Sequence, residues 1–516
     1  MNKIKKLLRP VSLFVFSCIV SVATLLLYNI PFFNYAAQNT TESGFGRVFL
    51  LASLVVLMLV VNFMMTYLVM YLMRVVGRVL LAILAVINAT ALYFIMTYSV
   101  IIDEITIGNV FNTRYSEASG FFSWSLWLFL LAVGVLPAIY CLVQPVVIGK
   151  AKKLGVYCGS SLAVILLIAL VNINQTLWIS HHDTELGGLL QPWSYLVNSI
   201  RVTSIQHSKQ AEEIKLPDGK FSDDDKAAVV LVIGESARRA NFQLYGYQRE
   251  TNPLLSRQQG LKAYAANSCA TYTTAGVKAI LEPKNSDDLY ELLPNYVYRM
   301  GADVLWRTSN WGEPPLHVGE YMGRSKVGEL YPDEDRNFDG VLFAGLRQRI
   351  ESSQKNKVLI VLHTSLSHGP NYADKYPKAF EFYTPVTDKV EESEKNVGMV
   401  VNAYDNTIRY TDYLLDSLIN TLRDMKDWKT AMIFISDHGE SLGENKVFMH
   451  GLPMRLAPKV QYEIPFLVWT SDQFREYKPD SQLPAVLEQH YVFHSVLNLL
   501  SVESPAYNKE FDIFQR

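Results

Sequence analysis

Residues 227–238 read Ala-Ala-Val-Val-Leu-Val-Ile-Gly-Glu-Ser-Ala-Arg, an apolar run that ends in polar and charged side chains. Two later segments follow the same plan. Lys357–Leu362 leads into a stretch that ends at His368, and Thr430–Ile435 leads into Ser436-Asp-His-Gly-Glu440. Near-continuous β-branched runs are typical of strands buried on both faces of a mostly parallel sheet. Because longer helical stretches separate these runs, the sequence predicts an α/β fold for this part of the chain.

The side chains that follow these runs predict a metal site. Open α/β sheets bind ligands at the carboxyl ends of their strands, so we expect Glu235, Asp437 and His438 to meet at one edge. Two carboxylates and an imidazole suit zinc or manganese. The alternative is an ordinary Asp-His-Gly turn and a glutamate favoured by a helix dipole. His368 and His450, in a domain with few other histidines, favour the metal site.

A hydroxyl-rich segment offers a nucleophile. Ser268-Cys-Ala-Thr-Tyr-Thr-Thr-Ala-Gly276 precedes a helix predicted over Gly276–Leu281, so its N–H groups could face an anionic substrate. A metal would lower the pKa of a hydroxyl enough to make it nucleophilic. Spacing alone favours the simpler interpretation, in which these residues only cap the helix. Gly234-Glu-Ser-Ala-Arg238 lacks the second glycine of a serine-hydrolase elbow, and the sequence contains no Cys-x-Pro-x-Arg of the sulfatase type.

The first third of the chain has a different composition. Half of the 516 residues are apolar and 19% are charged. Residues 1–178 carry only 15 charged side chains, 11 basic and 4 acidic, whereas the rest of the chain carries 36 basic and 45 acidic ones. This contrast predicts a membrane part and an acidic aqueous part, and it argues against a nucleic-acid partner.

Five apolar runs are long enough to cross a hydrocarbon layer of ~30 Å. They lie near Val11–Leu27, Val48–Met73, Val79–Ile102, Phe121–Ile148 and Leu154–Ile179. Nine basic residues lie before the first run or in the loops on that side, against Arg47 and Arg114 in the alternate loops. The positive-inside rule therefore places the N-terminus in the cytoplasm and everything after Ile179 outside. A cleaved signal peptide is the alternative for the first run, but no convincing cleavage site precedes Pro31.

These observations predict three parts. Residues 1–179 would form a transmembrane domain of five helices, and residues 227–516 an exported catalytic domain. Between them, residues 180–226 would form a short amphipathic helix at the membrane surface, near Gln191–Ile200, and a solvated linker. Only Cys269 lies in the aqueous part, so that domain has no internal disulfide.

Together these motifs resemble those of the phosphoethanolamine transferases of Gram-negative inner membranes, a family of the alkaline phosphatase and sulfatase superfamily. The similarity covers nearly the whole chain. In chain order it is carried by Gly234-Glu-Ser-Ala-Arg238, Tyr245-Gly-Tyr247, Thr251-Asn-Pro253, Ser268-Cys-Ala-Thr-Tyr-Thr273, Ser367-His-Gly-Pro370, Asn402-Ala-Tyr-Asp-Asn406, Tyr410-Thr-Asp412, Ser436–Asn445 and His450-Gly451.

The resemblance implies an alkaline-phosphatase-like domain behind a five-helix bundle, with Thr273 as the nucleophile. Glu235, Thr273, Asp437 and His438 would ligate one tightly bound zinc. His368 and His450 would bind the transferred phosphoryl group, protonate the leaving oxygen or hold a second zinc.

A further match lies between the third and fourth predicted spans. Asn109, Thr113 and Glu117 are spaced four residues apart, on one face of a helix. In the family this loop contributes to lipid substrate binding. As an isolated triplet, the same pattern indicates a solvated helix face.

The activity implied by the resemblance is a ping-pong transfer at the inner membrane. Thr273 would attack the phosphorus of phosphatidylethanolamine, and the group would pass to lipid A or the lipopolysaccharide core. The ammonium of the transferred phosphoethanolamine would weaken the attraction between the modified lipid and cationic peptides such as polymyxin. The nearest alternative enzyme is a lipoteichoic-acid-type glycerolphosphate transferase, which prefers manganese. A non-enzymatic envelope sensor or scaffold is disfavoured by the complete metal and nucleophile positions.

The sequence departs from the family pattern in two places. Family members often have several disulfides in the aqueous domain, one of them beginning at the position of Cys269, and none can form here. The stretch Trp306-Arg-Thr-Ser-Asn-Trp-Gly-Glu-Pro-Pro315 also lacks the lysine that the family pattern leads us to expect.

Overall fold

The computed structural model describes residues 8–515, except 41, 113–120, 173–174, 176–177, 180–181, 209–212, 287, 311–312, 370, 388–396, 445–446, 475–477 and 480–482. The chain divides into two compact units. A helical unit comprises residues 1–111 and 122–209, and an α/β unit comprises residues 112–121 and 210–516.

The helical unit consists of long apolar helices and shorter polar ones. They are α1 (Leu13–Tyr28), α2 (Ile30–Asn39), α3 (Gly44–Tyr98), α4 (Glu104–Asn112), α5 (Trp124–Val143), α6 (Ala151–Val171), α7 (Asp183–Leu189) and α8 (Trp193–Ser208). Ser12 caps α1 by accepting from the N–H of Val15, and Ser123 caps α5 by accepting from that of Leu126. The interfacial helix expected near Gln191–Ile200 begins at Trp193 and extends to Ser208.

Helix α3 is interrupted at Arg74, where φ is 44° and ψ is −102°. A Cβ added at Gly77 would lie 2.9 Å from the carbonyl oxygen of Val69. A straight helix would separate residues eight positions apart by about 12 Å, so the chain folds back at Arg74. The two arms also contribute to the same apolar clusters, in which Leu50 and Ile95 are both buried.

Among the described residues, three helices are long and apolar enough to cross a membrane, namely α3, α5 and α6. The bent pair α1 and α2, which meet at 62°, makes four if it counts as one span. The sequence predicted five spans. The numbers differ because the second and third predicted runs lie in the single element α3, with no break longer than the residue at Arg74.

The α/β unit is built on an eight-stranded sheet. Its strands are β1 (Ala227–Gly234), β2 (Lys262–Asn267), β3 (Asp303–Thr308), β4 (Glu320–Gly323), β5 (Lys357–His363), β6 (Lys429–Ser436), β7 (Glu463–Thr470) and β8 (Leu487–Glu488). Their order across the sheet is β8-β2-β7-β6-β1-β5-β3-β4. Only β7 runs antiparallel to its neighbours β2 and β6. The predicted mostly parallel sheet is confirmed.

Strand β1 lies at the centre and is buried on both faces. Val229 and Leu231 pack into one apolar core, and Val230 and Val232 pack into the other. Each of these side chains is fully buried. This burial explains the uninterrupted apolar run, because neither face of the strand contacts water.

Helices cover the two faces of the sheet. They are α9 (Thr273–Leu281), α10 (Leu293–Arg299), α11 (Arg324–Leu330), α12 (Leu346–Glu351), α13 (Val397–Arg423) and α14 (Tyr491–Leu499). Helix α9 begins three residues earlier than predicted. The expected linker packs on this unit: Lys220–Phe221 pairs with Val502–Glu503, and Leu216 is buried.

Two-residue ladders complete the structure. They pair Val11–Ser12 with Val146–Val147, Ser441–Leu442 with Phe448–Met449, and Lys478–Pro479 with Phe514–Gln515.

Candidate active site

Four neighbouring parallel strands end at one edge of the sheet, and each is followed by polar side chains. The register pairs Gly234 with Ser436, Ile233 with His363, and Thr308 with His363. The residues that follow these strands, among them Glu235 and Asp437, therefore lie side by side. This is the edge at which parallel α/β sheets bind ligands.

Glu235, Asp437 and His438 form a fully buried cluster. Nε2 of His438 lies 3.0 Å from Oε1 of Glu235 and 3.5 Å from Oδ2 of Asp437. One ligand atom from each residue can be chosen so that all three lie within 4.8 Å of one another, close enough to hold one metal ion.

The orientation of His438 is fixed by the backbone. Its Nδ1 lies 2.8 Å from the carbonyl oxygen of Gly439. A carbonyl only accepts, so Nδ1 carries a proton and Nε2 faces the two carboxylates. Burial would lower the pKa of His438, but the carboxylates of Asp437 and Glu235 raise it to about 10. A positive charge is therefore strongly favoured at this point.

The two carboxylate oxygens of Asp437 differ in their partners. Its Oδ1 accepts from the N–H groups of Ser236 and His438, at 3.1 and 2.7 Å. Its Oδ2 is buried and accepts no hydrogen bond from any described residue. Leaving a buried carboxylate oxygen unpaired is costly, and a metal ion removes that cost. The donor set of two carboxylates and one imidazole fits zinc.

The hydroxyl of Thr273 completes the cluster. Its Oγ1 lies 3.2 Å from each carboxylate oxygen of Glu235 and 3.5 Å from Nε2 of His438. Thr273 is the first residue of α9, so it lies at the helix end where backbone N–H groups have no partner within the helix. The neighbouring hydroxyl of Thr271 instead donates to the carbonyl of Leu452, 2.6 Å away. Of these two hydroxyls, only that of Thr273 faces the candidate metal site.

His368 and His450 lie beside this cluster. The ring centroid of His450 is 4.2 Å from that of His438 and 5.4 Å from that of His368. Glu235, His368 and His450 form a second group that could hold a metal ion. Burial lowers the pKa of His368 to about 3, so this imidazole is neutral at physiological pH.

Glu440 was not singled out from the sequence, although it follows Asp437 by three residues. Its Oε2 lies 2.8 Å from Nδ1 of His450, and its Oε1 accepts from the hydroxyl of Tyr372 at 2.6 Å. Glu440, His438 and His450 make a third possible metal-binding group. The signal that could have found Glu440 is its place in the same post-strand loop as Asp437.

Asn310 and His363 were also missed as site residues. Nδ2 of Asn310 donates to Oε2 of Glu235 at 2.5 Å and lies 3.2 Å from Nε2 of His363. Nδ1 of His363 in turn lies 3.0 Å from Oε1 of Glu313. The stretch that lacks the expected lysine therefore contributes the neutral amide of Asn310, which contacts Glu235. The His363–Glu313 pair lies behind this amide.

Two other motif acids have structural partners instead. Asp405, on α13, accepts from Asn241, Tyr247 and Arg249. Asp412, about two turns further along the same helix, accepts from the N–H groups of Leu254 and Leu255 at 3.0 and 2.9 Å. Helix α13 therefore holds the loop that follows Glu235.

Gln489 connects the nucleophile segment to the metal loop. Its Oε1 accepts from the N–H of Cys269 at 3.0 Å, and its Nε2 donates to the carbonyls of Asp437 and Ser436 at 2.7 and 3.2 Å. Cys269 is a free thiol whose pKa burial raises to about 11. Hydrogen bonds therefore fix a segment that a disulfide often fixes in the family.

The remaining predicted residues are those between the third and fourth predicted spans. Asn109 belongs to α4, and Thr113 and Glu117 lie outside the described residues.

The chain is similar to known proteins over both of its units. A sulfatase family model matches residues 227–502, and a model for the phosphoethanolamine transferases EptA and EptB matches residues 60–207. The phosphoethanolamine transferase EptA of Helicobacter pylori is 35% identical over 509 residues, covering 97% of this chain and 96% of the relative. EptA of Escherichia coli K12 is 32% identical over 459 residues, 83% of each chain.

The structural comparison gives the same result. The integral membrane lipooligosaccharide phosphoethanolamine transferase A of Neisseria meningitidis aligns with a TM-score of 0.83 at 25% identity. The alignment covers 96% of this chain and 97% of that protein.

Proposed function

Because the chain belongs to the phosphoethanolamine transferases of the alkaline phosphatase and sulfatase superfamily, we propose that it transfers phosphoethanolamine from phosphatidylethanolamine to lipid A or the lipopolysaccharide core. The observation that carries the proposal is the convergence of the Thr273 hydroxyl on Glu235 and His438. The chain is a membrane protein, and the reaction would take place at the periplasmic side of a bacterial inner membrane.

The proposed metal is zinc, held by Glu235, Thr273, Asp437 and His438. When bound, it would supply a positive charge that lowers the pKa of a hydroxyl and stabilises developing negative charge. The unpaired Oδ2 of Asp437 and the backbone-fixed tautomer of His438 support this assignment.

The proposed reaction has two steps. The hydroxyl of Thr273 loses its proton and its Oγ1 forms a bond to phosphorus. The bond from phosphorus to the diacylglycerol oxygen breaks, and that oxygen takes up a proton. An oxygen of the acceptor then displaces Thr273 from the phosphothreonine, so the threonine hydroxyl is regenerated. The hydrogen bond from Thr273 to Glu235 orients the hydroxyl and leaves an Oγ1 lone pair for the phosphorus.

The two histidines beside the cluster have different proposed roles. His450 is the better proton carrier for the leaving oxygen, because its Nδ1 contacts the Glu440 carboxylate and its Nε2 can then exchange a proton with the substrate. His368 is neutral and suits a hydrogen bond to the phosphoryl group or a second zinc. Asn109, Thr113 and Glu117 are proposed to contact the lipid substrate.

The proposed domain arrangement is the one expected from the sequence: a transmembrane domain over residues 1–179, an interfacial segment and linker over 180–226, and a catalytic domain over 227–516. The fold-back of α3 at Arg74 supports the assignment of its two arms as separate spans, which makes five with α5, α6 and the bent pair of α1 and α2. A reporter enzyme that is active only after export should then be active when it is fused after Arg516. Activity of a cytoplasmic reporter at that position would contradict the five-span arrangement.

The decisive experiment for the activity is mass spectrometry of the covalent intermediate. Incubation of the full chain with phosphatidylethanolamine and no acceptor should leave a phosphoethanolamine adduct on Thr273. Thr273→Ala should lose the adduct and lipid A modification, whereas Thr273→Ser should keep part of both. Thr271→Ala is the matched control and should retain the adduct, because its hydroxyl bonds to Leu452. An adduct on Thr271 or Thr274, or unimpaired transfer by Thr273→Ala, would refute the assignment.

A further inference from the structure

The helical unit contains a cavity of about 340 Å³. Its wall is formed by α1, both arms of α3, the second half of α5 and the start of α8, and is predominantly apolar. Lining side chains include Ile19, Ala23, Leu84, Ala85, Pro137 and Leu196. The volume is more than ten times the ~30 Å³ of a water molecule and falls in the ~300–1,000 Å³ range of small-ligand sites.

The wall of the cavity continues onto the outer surface of the helical unit. Ile19, Leu80, Ile83 and Leu196 line the cavity and are 42%, 37%, 49% and 37% exposed. In a membrane these exposed apolar side chains would contact lipid tails rather than water. The opening would therefore admit molecules from the bilayer.

One buried polar group of the wall lacks a partner. Asn62 is 5% exposed, and its Oδ1 accepts from the indole N–H of Trp193 at 3.1 Å. An indole nitrogen only donates, so this contact fixes which end of the amide is oxygen and which is nitrogen. Nδ2 of Asn62 is buried without a hydrogen-bond partner among the described residues.

Other polar groups of the wall are already satisfied within the chain. The hydroxyls of Thr24 and Tyr28 donate to the carbonyls of Val20 and Val133, at 2.9 and 2.8 Å. A ligand that matches this site is thus long and apolar and carries a hydrogen-bond acceptor for Asn62. An unpaired N–H in apolar surroundings is unfavourable, so the acceptor contributes to binding.

We propose that this cavity binds one acyl chain of a membrane phospholipid, with Nδ2 of Asn62 donating to an ester carbonyl of that lipid. The inference rests on the proposed membrane insertion and is independent of the proposed catalytic residues. Phosphatidylethanolamine, as the donor, and other phospholipids of the bilayer share this acyl-ester chemistry.

Photocrosslinking tests the site in the full chain. The protein is placed in lipid nanodiscs with phosphatidylethanolamine that carries a diazirine in one acyl chain. A parallel sample contains phosphatidylglycerol with the same diazirine-labelled acyl chain. Mass spectrometry should map the crosslinks to α1 and to the arm of α3 that contains Leu80–Asn88. Labelling by both lipids identifies a general phospholipid site, and labelling by phosphatidylethanolamine alone identifies the donor.

Two substitutions sharpen the test. Ala85→Phe fills the cavity and should reduce labelling of these peptides at least tenfold, whereas Ala163→Phe, at an exposed position on α6, should leave it within twofold. Asn62→Leu should reduce labelling about fivefold, the factor that one hydrogen bond contributes. If Ala85→Phe does not fold, Asn62→Leu and the crosslink map of the unmodified protein decide whether the cavity binds an acyl chain.

Crosslinks spread evenly over the exposed surface of α6 and α5, and unchanged by Ala85→Phe and Asn62→Leu, would overturn the proposal. Labelling requires no turnover. A chain that is labelled in the cavity but transfers no phosphoethanolamine would contradict the proposed function and leave the acyl-chain site standing.

Discussion

Gly439→Ala tests whether the loop after β6 must keep its present position. A Cβ at Gly439 would lie 2.0 Å from the carbonyl oxygen of Val460 and 3.0 Å from the carbonyl carbon. Real Cβ contacts are essentially never shorter than 3.0 Å, so the loop must move by about 1 Å. The carbonyl of Gly439 orients His438, and the N–H groups of Gly439 and Glu440 bond to residues 461 and 460. The movement therefore displaces a proposed metal ligand.

The expected effect follows from that displacement. A misplacement of ~1 Å at a reaction centre costs on the order of 100-fold in rate, so kcat/KM for phosphoethanolamine transfer should fall by about that factor. The substitution would strain the hydrogen bonds that Gly439 and Glu440 donate to residues 461 and 460. Each is worth roughly 1 kcal/mol, so the protein should remain folded. The assay is transfer from phosphatidylethanolamine to lipid A by the full chain, together with thermal unfolding and zinc content.

Gly323→Ala is the matched control. Gly323 belongs to the same unit, and a Cβ there meets nothing within 4 Å. This variant should transfer at the rate of the unmodified chain. Activity of Gly439→Ala within threefold of the unmodified chain would refute the claim that the loop position limits catalysis.

Two further predictions concern the acidic residues. Asp437→Asn should remove bound zinc from the purified chain and abolish transfer, as should a chelator; metal content by mass spectrometry checks this, and full activity of the zinc-free variant would contradict the site. For Asp412, burial raises the pKa to about 6 from 3.8, so the folded state binds its proton more tightly than the unfolded state does. The stabilisation is present below about pH 4 and is lost as the pH rises through 6, by roughly 3 kcal/mol. The measurement is urea unfolding of the full chain and of Asp412→Asn at pH 4 and pH 7. The difference between their unfolding free energies should change by roughly 3 kcal/mol over this range. A difference that stays constant would refute the assignment of the titration to Asp412.

The sheet and the grouping of Glu235, Asp437 and His438 were predictable because their signals are local. Burial on both faces makes β1 uninterruptedly apolar, and Glu235 follows it directly. The same reasoning applies to Asp437 and His438 after β6. Parallel strands that end together bring these groups together, so no contact information was needed.

The partners of these groups were not predictable in the same way. Asn310 contacts Glu235 across 75 residues, and His363 contacts Glu313 across 50. Neither spacing corresponds to a helix or strand period, because the contacts depend on which strands are neighbours. Likewise, hydropathy finds the apolar runs of α3 but does not determine how the chain turns between them at Arg74.

Residue type within a motif also did not distinguish structural acids from proposed metal ligands. Asp405 and Asp412 each accept hydrogen bonds from the chain on both carboxylate oxygens. Asp437 has one such oxygen and leaves the other buried without a hydrogen bond from the described residues. Burying an unpaired carboxylate oxygen is unfavourable unless a cation compensates it. The difference between a structural aspartate and a proposed metal ligand therefore lies in what remains unpaired after folding, which is a property of the packed structure rather than of the local sequence.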